Sequence, residues 1–224
     1  MDRRSAFASA AVAEAPRFPG LTFGLALIFG LWLATSGCLG RSPQIRHFML
    51  GTETPLPAEN GASDVSVLVG PVRLPAYLAR PEFARLEPGG EVELDSGHRW
   101  LGSFEENFLR AASLGIAKRL GSSQVVPHPS KAPFSIDYTV RLHVDDLIVE
   151  AGGAMRVGIR WALVGPAGRG TGPLEGPATR LFSFEEQRSG VGASPEALVR
   201  AHEVVLGELA RRIAAAIVEA ESGS

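Results

Sequence analysis

The residue with the most distinctive chemistry is Cys38, the only cysteine in a chain of 224 residues. A lone thiol can form neither a disulfide within the chain nor a zinc site built from several cysteines. The small residues Ser36 and Gly37 directly precede Cys38, and the apolar run 21–34 precedes them. A signal peptidase needs this order, because it must fit an extended backbone beside a cysteine whose sulfur carries diacylglycerol. We therefore predict that Cys38 is lipidated.

Residues 1–37 have the composition of an export signal. Arg3, Arg4 and Arg17 precede the apolar run, which is shorter than the roughly 20 residues of a bilayer-spanning helix. The segment resembles a bacterial lipoprotein signal, with Thr35 where such signals usually carry leucine. An uncleaved membrane anchor with an incidental cysteine is the alternative. In the lipoprotein interpretation the acyl chains anchor the mature chain, since each buried CH₂ contributes about 0.8 kcal/mol.

The composition favours one domain with a normal core and appended segments, because 45% of the residues are hydrophobic and 21% are charged. The chain has 22 Lys and Arg against 24 Asp and Glu and no basic run, so we exclude nucleic acid as a partner. We divide the chain into a signal peptide at 1–37, a lipidated N-terminus with a short strand and a linker at 38–63, and the main domain at 64–221.

Several strands are predicted from apolar alternation and turn residues. Alternating apolar side chains predict strands at 136–149 and 155–163 that form a long antiparallel hairpin, and a third strand at 179–184. The alternation slips by one step at Asp145 and Asp146, which predicts a β-bulge. The same reasoning predicts earlier strands at residues 45–50, 64–75, 83–86 and 91–94 and from Val125 onward.

Two helices are predicted from apolar residues that recur at helical spacing. Residues 103–120 place apolar side chains at every fourth position. The second helix begins after Ser194, whose hydroxyl suits an N-cap, has Pro195 at its first position and runs to about Ala220. Two main helices packed on a mostly antiparallel sheet give an α+β fold, preceded by the lipoprotein signal peptide.

Catalytic chemistry is not indicated by the sequence. The glycine-rich stretch 165–172 lacks the following helix that a phosphate-binding loop needs, so we interpret it as a hairpin loop. The five histidines have no spacing that places two imidazoles on one metal, and Asp145 and Asp146 point to opposite faces of a regular strand. No serine lies in a nucleophile elbow. We predict a protein that is not an enzyme, with no catalytic residue, cofactor or metal.

Two stretches carry side chains suited to contacts. Residues 74–83, LPAYLARPEF, contain two prolines together with Tyr77 and Arg80. This stretch is either a crossover held down by Tyr77 and Leu78 or an edge that binds a partner, and the residues alone do not separate the two interpretations. Trp100 lies in the HRW stretch before the first helix, where tryptophan is more often a core side chain than a ligand platform. Tyr77, Arg80 and Trp100 are the candidate partner contacts.

The same stretches carry a resemblance to a known family. The segments VGPVRLPAYLARPEF at 69–83, HRWLGSFEENFLRAASLGIAKRLG at 98–121 and VVPHP at 125–129 resemble the PqiC-type proteins, also called ABC-type transport auxiliary lipoproteins. The similarity continues through the long hairpin and the last helix, so that it covers nearly the whole mature chain.

The resemblance implies a non-enzymatic lipoprotein of the cell envelope that needs no cofactor. Its implied partners are an MCE-domain protein, which forms a tunnel for lipid traffic, and the inner-membrane permease of that system. Phospholipid is an implied ligand, and a ring of identical subunits is the implied assembly. Leu39 stands where aspartate would indicate the inner membrane, which favours the outer membrane facing the periplasm. The alternative is a structural or assembly lipoprotein of an outer-membrane complex that passes no lipid, and an anchored hydrolase ranks third.

Overall fold

The structure, a computed structural model, describes residues 44–51, 63–167 and 177–222. These residues form eight strands and two long helices, joined in part by a short 3₁₀ turn at Ala76–Ala79. The strands are β1 (Arg46–Phe48), β2 (Val67–Arg73), β3 (Glu82–Leu86), β4 (Val92–Trp100), β5 (Val125–Pro127), β6 (Tyr138–Glu150), β7 (Met155–Ala167) and β8 (Pro177–Arg188). The helices are α1 (Phe104–Leu120) and α2 (Pro195–Ser222).

Some predicted features cannot be placed in the fold. Cys38 and the predicted signal segment 1–37 lie outside the described residues, as do residues 52–62 of the predicted linker and 168–172 of the glycine-rich stretch. Within the part of the chain that the structure describes, no helix combines the length and the hydropathy needed to span a bilayer.

The sheet is organised around β6. β6 and β7 form the predicted long hairpin, β8 adds a third antiparallel strand, and a register shift between Val144 and Asp146 confirms the predicted bulge. The other edge of β6 carries two parallel strands in succession, because β2 pairs with its first half and β3 pairs with its end. β4 and β1 extend the sheet beyond β3, and β5 extends it beyond β2. The sheet is mixed with its longest ladders antiparallel, and the predicted α+β fold is confirmed.

Several strands differ in length from the sequence prediction, and one of them, β8, spans twelve residues against the six predicted at 179–184. β1 is shorter than the predicted strand 45–50, and it pairs in parallel with the last residues of β4, so that it belongs to the same sheet. β4 continues past the predicted 91–94 as far as Trp100. Phe48 of β1 pairs with Trp100, so the HRW stretch is held in strand conformation by its neighbour.

Capping residues satisfy backbone groups at the start of both helices and at the end of α1. The Oγ of Ser103 accepts a hydrogen bond from the Glu106 N–H at 3.1 Å, and Gly121 ends α1 in the left-handed region at φ 65°. The Oγ of Ser194 accepts from the Ala197 N–H at 3.1 Å, which confirms the predicted N-cap of α2. The caps therefore fix the start of both helices and the end of α1.

The core lies between the helices and one face of the sheet. The predicted apolar stripe of α2 is fully buried there; it comprises Leu198, Val205, Leu209, Ile213 and Ile217. The two helices approach closely at Gly115, where an added Cβ would lie 2.8 Å from the Cβ of Ala210. Only glycine permits this contact without a shift of one helix, so Gly115 sets the distance between the helices.

A buried histidine joins α2 to the aromatic part of the core. His202 is 4% exposed, and its ring lies 5.4 Å from the ring of Trp100 and 5.7 Å from that of Phe104. Its Nδ1 donates to the Leu198 carbonyl oxygen at 2.8 Å. Burial lowers the pKa of His202 to about 4, against the weaker opposite effect of that hydrogen bond. The imidazole is therefore neutral in the folded protein.

This burial predicts a specific pH dependence of stability. Between pH 6.5 and pH 4 the unfolded chain binds a proton at His202 that the folded protein rejects, so acidification favours unfolding. The His202 contribution to the free energy of unfolding should fall by up to about 1.4 kcal/mol per pH unit in this window. His202→Phe should flatten the dependence measured by urea unfolding between pH 6.5 and pH 5, where most carboxyl groups remain ionised. An unchanged slope in the variant would contradict this assignment.

Candidate functional site

The sheet has one face that the helices do not cover, here called the outer face. Side chains alternate along β6 and β7, so that Leu142 and Trp161 point into the core while their neighbours point away from it. Strand register aligns the outward side chains in two rows across β6, β7 and β8. One row is Arg141, Ala162 and Leu181, and the other is His143, Arg160 and Ser183.

The two rows line an open groove of about 500 Å³ on the outer face. Leu181 is 82% exposed, which is the highest value among the large apolar side chains that the structure describes. An apolar side chain between arginines gives the groove an amphipathic character. Such a combination is typical of protein contact surfaces, in which an apolar centre is surrounded by charged groups.

The charges of the groove are organised by the bulge in β6. Arg160 donates from Nε and Nη2 to both carboxylate oxygens of Asp145, at 2.7 and 2.6 Å. The Nε2 of His143 lies 3.3 Å from Asp145 Oδ1. Hydrogen bonds from Arg160 hold the pKa of Asp145 below its usual range, so Asp145 neutralises Arg160 at physiological pH. Because the pair is exposed, its effect is to orient these side chains more than to stabilise the fold.

Arg141 leaves the groove with a net positive charge. Its side chain is exposed and has no hydrogen-bond or ion-pair partner among the residues that the structure describes. Asp145 balances the charge of Arg160, whereas no acidic residue among the described residues that line the groove balances the positive charge of Arg141. The groove therefore favours an acidic or amphipathic segment over a basic one.

The stretch 74–83 crosses a gap in the sheet. β2 pairs with β6 as far as His143, and β3 begins to pair at Val149, so between these residues the edge of β6 opposite β7 lacks a neighbouring strand. The 3₁₀ turn Ala76–Ala79 fills this gap. The hydroxyl of Tyr77 accepts a hydrogen bond from the buried Leu147 N–H at 3.0 Å, and burial raises the pKa of Tyr77. Tyr77 thus replaces a strand as the acceptor for this amide.

The crossover and the outer face are neighbours. A second open groove of about 390 Å³ is lined by Arg73, Leu74, Pro75 and the segment 143–145. His143 lines both grooves, so that the outer face continues to the start of the crossover. Leu78 is buried and holds the turn, whereas Arg80 is exposed. The stretch 74–83 is therefore an anchored crossover that presents a cation to solvent.

The three candidate contacts predicted from the sequence differ in their exposure to solvent. Tyr77 is half-buried within the crossover, and Arg80 is exposed directly after the 3₁₀ turn. Trp100 is 3% exposed, with its ring 4.4 Å from that of Phe83 and 5.1 Å from that of Phe104. Trp100 is thus a core side chain, and its prediction as a candidate partner contact is corrected, because three other aromatic rings bury it and leave it no surface to offer.

The outer-face residues were not selected from the sequence. Arg141, Arg160 and Leu181 occupy ordinary alternate positions of strands that were predicted, and their alignment depends on register across three strands. The sequence signal that could have indicated this face is a basic residue at an outward position of each strand, Arg141 in β6 and Arg160 in β7. For metals, the described residues contain no group of three His, Cys, Asp or Glu side chains that could hold an ion.

Comparison with known proteins identifies the family of this chain. Residues 48–214 match the family model described as the ABC-type transport auxiliary lipoprotein component. The chain belongs to this family, whose members are auxiliary lipoprotein components of ABC-type transport. The comparison with curated proteins finds no match.

Two solved structures share the fold. One, described as an uncharacterized protein, has 15% sequence identity and a TM-score of 0.55, and the match covers 78% of this chain and 99% of that one. The other is a Xanthomonas campestris protein of family DUF330, with 15% identity, a TM-score of 0.53 and coverage of 80% and 94%. At this identity the likeness concerns the fold alone.

The role of Tyr77 yields a stability prediction. Tyr77→Phe leaves the buried Leu147 N–H without an acceptor, which should lower the free energy of unfolding by about 1–3 kcal/mol. Tyr138→Phe is the matched control, because the Tyr138 hydroxyl donates to the exposed Glu221 at the end of α2. Hydrogen exchange should accelerate at the Leu147 amide in Tyr77→Phe only. Equal exchange at Leu147 in both variants would refute the bridging role.

Proposed function

We propose that this protein is a non-enzymatic subunit of an MCE-type intermembrane lipid transport system. In this proposal the protein is anchored by lipid on Cys38 in the outer membrane, faces the periplasm and docks the tunnel-forming MCE-domain protein. The observation that supports it most directly is family membership across residues 48–214 in a fold that leaves one sheet face uncovered.

The described residues suggest how docking would work. The anchor fixes the protein at the membrane, and the segment that precedes β1 limits the distance between the domain and the bilayer. The outer face offers an apolar centre with Arg141 beside it, and the crossover presents Arg80 at its edge. Both arginines suit an acidic segment of the tunnel protein, since complementary charge selects the partner and speeds association.

Lipid contact belongs to the assembly in this proposal rather than to one subunit. The outer groove is open and bordered by arginines, so it resembles a contact surface more than an enclosed site for acyl chains. A phospholipid would instead pass between subunits or through the tunnel protein. The open groove also suits the alternative of an assembly lipoprotein that passes no lipid, and the two functions differ in the partner that they require.

Extraction of the full-length protein in mild detergent from its native membranes tests the proposal. Mass spectrometry should find a diacyl group on Cys38 and should recover an MCE-domain protein and its permease with phospholipid. Cys38→Ala should abolish the diacyl modification and leave residues 1–37 on the chain, which the intact mass of the protein reports. Recovery of outer-membrane assembly factors in place of an MCE-domain protein would favour the assembly function.

Surface variants connect this test to the outer face. Arg141→Glu reverses the charge of an exposed groove residue and should reduce recovery of the MCE-domain protein at least tenfold, and Arg80→Ala should reduce it less. Lys131→Glu is the matched control, because Lys131 is exposed between β5 and β6 and does not line the outer groove. Equal recovery with Arg141→Glu and Lys131→Glu would exclude the outer face as the docking surface.

A further inference from the structure

Three exposed apolar side chains surround the first strand of the domain and are here called the β1 surface. Ile45 precedes β1, Met49 follows it, and Leu101 follows β4, the strand that pairs with β1. Their exposed fractions are 43%, 39% and 55%. They are three of the eight large apolar side chains that are exposed in the described part of the chain. Single exposed apolar residues are ordinary on a protein, whereas a cluster of them indicates a contact.

Strand geometry places the three side chains on the same side of the sheet. Side chains alternate along an extended chain, so Ile45 and Met49 point away from the side to which Phe48 points. Phe48 points to the core side, where its ring lies 5.2 Å from the ring of Phe83. The Leu101 N–H donates to the Phe48 carbonyl oxygen at 2.7 Å, which brings Leu101 beside Met49.

Polar contacts fix the end of this segment to both helices. The Leu50 N–H donates to Asn107 Oδ1 of α1 at 3.3 Å. The Gly51 N–H donates to Glu203 Oε1 of α2 at 3.0 Å. Leu50 itself is fully buried. The β1 surface therefore moves with the rest of the domain, and a contact made there sets the orientation of the domain.

The length of chain before β1 identifies what the β1 surface meets. Ile45 follows Cys38 by seven residues, and a fully extended chain spans at most about 3.6 Å per residue. The Cα atom of Ile45 therefore lies within about 25 Å of the residue that carries the lipid in the proposed function. A tether this short gives the bilayer a high effective concentration at this surface, so that even a weak contact is populated.

We propose that the β1 surface lies against the phospholipid bilayer, with Ile45, Met49 and Leu101 inserted at the level of the headgroups. The proposal rests on the lipidation of Cys38 in the proposed function and adds a second, non-covalent membrane contact to it. Acyl chains alone hold the domain at the membrane but leave it free to turn. An apolar contact buried at the interface fixes which side of the domain faces the bilayer.

The polar side chains within the β1 surface suit lipid headgroups. His47 is exposed between Ile45 and Met49, and strand register places Arg99 beside it. Arg99 lies 3.4 Å from Glu82, which is longer than an ordinary N–H···O hydrogen bond. Imidazole and guanidinium groups both donate hydrogen bonds to phosphate oxygens. The surface therefore combines apolar side chains for insertion with donors for the phosphates around them.

This contact leaves the outer groove free for a protein partner. In the sheet, β7, β6, β3 and β4 lie between β8, which carries Leu181, and β1. Neighbouring strands lie about 4.8 Å apart, so roughly 24 Å of sheet separate the two ends. The domain can therefore meet the bilayer at β1 and the tunnel protein at the other end of the sheet.

Single-cysteine probes test the contact, because the proposed lipidation occupies the only native thiol. Met49→Cys and Leu101→Cys place the fluorophore NBD on the β1 surface, and Leu114→Cys on α1 is the matched control with similar exposure. The full-length variants are extracted in mild detergent, labelled, and reconstituted into vesicles of phosphatidylethanolamine and phosphatidylglycerol. A doxyl-labelled phospholipid in these vesicles should quench NBD at positions 49 and 101 at least twofold more than at position 114.

A charge on the β1 surface should weaken the contact. Leu101→Glu should reduce the quenching at position 49 at least twofold, because a carboxylate resists transfer from water. Leu114→Glu should leave that quenching unchanged. Both side chains are exposed, so neither change should unfold the domain, and circular dichroism checks this.

The outcomes separate this contact from the proposed function. NBD labelling of the parent protein would show a free thiol at Cys38 and would overturn this proposal together with the lipid anchor. An unlabelled parent with equal quenching at positions 49, 101 and 114 would overturn the bilayer contact alone and leave the docking function standing. Protection of positions 49 and 101 in the native assembly without quenching in the vesicles would assign the β1 surface to a protein partner and would also overturn the proposal.

Discussion

The fold depends on the hydrogen bonding of β6, which serves strands along both of its edges. One edge holds β7 along almost the whole of β6, whereas the other edge is shared between β2 and β3. The gap between those two strands would leave the buried Leu147 amide without an acceptor, and the Tyr77 hydroxyl supplies it. The hydrogen bond that the Leu147 amide of β6 donates to Tyr77 therefore holds the crossover in place. The bulge in the same strand turns Asp145 outward, where it orients Arg160.

The two helices cover only one face of the sheet, and this has functional consequences. α1 and α2 pack closely at Gly115 and bury the inner side of the sheet, so the apolar residues of β6 and β7 are satisfied by the chain itself. The outer face of the sheet remains uncovered by the two helices. This chain, which belongs to a family of transport auxiliary lipoproteins, thus carries an amphipathic groove on the sheet face that its helices leave uncovered.

Local signals made much of this fold predictable. The slip at Asp145 and Asp146 located the bulge, and Ser194 followed by Pro195 located the start of α2, because both patterns act through neighbouring residues. The parallel pairing of β2 with β6 and of β1 with β4 was not predicted, since each pair joins segments far apart in sequence. The bridging role of Tyr77 depends on that strand order and could not be derived without it. For the same reason the sequence named Trp100 as a candidate contact, whereas three separate elements bury it.

Hydroxyl-radical footprinting of the intact assembly in its native membrane tests the central claim that the outer face receives partners. The isolated protein is the reference, and three exposed apolar side chains report on the two sides of the domain. Leu181 lies on the outer face, whereas Leu114 and Val218 lie on α1 and α2. We expect the assembly to lose labelling at Leu181 and to keep it at Leu114 and Val218. Protection of Leu114 and Val218 with Leu181 still labelled would place the partners on the helices and contradict the account.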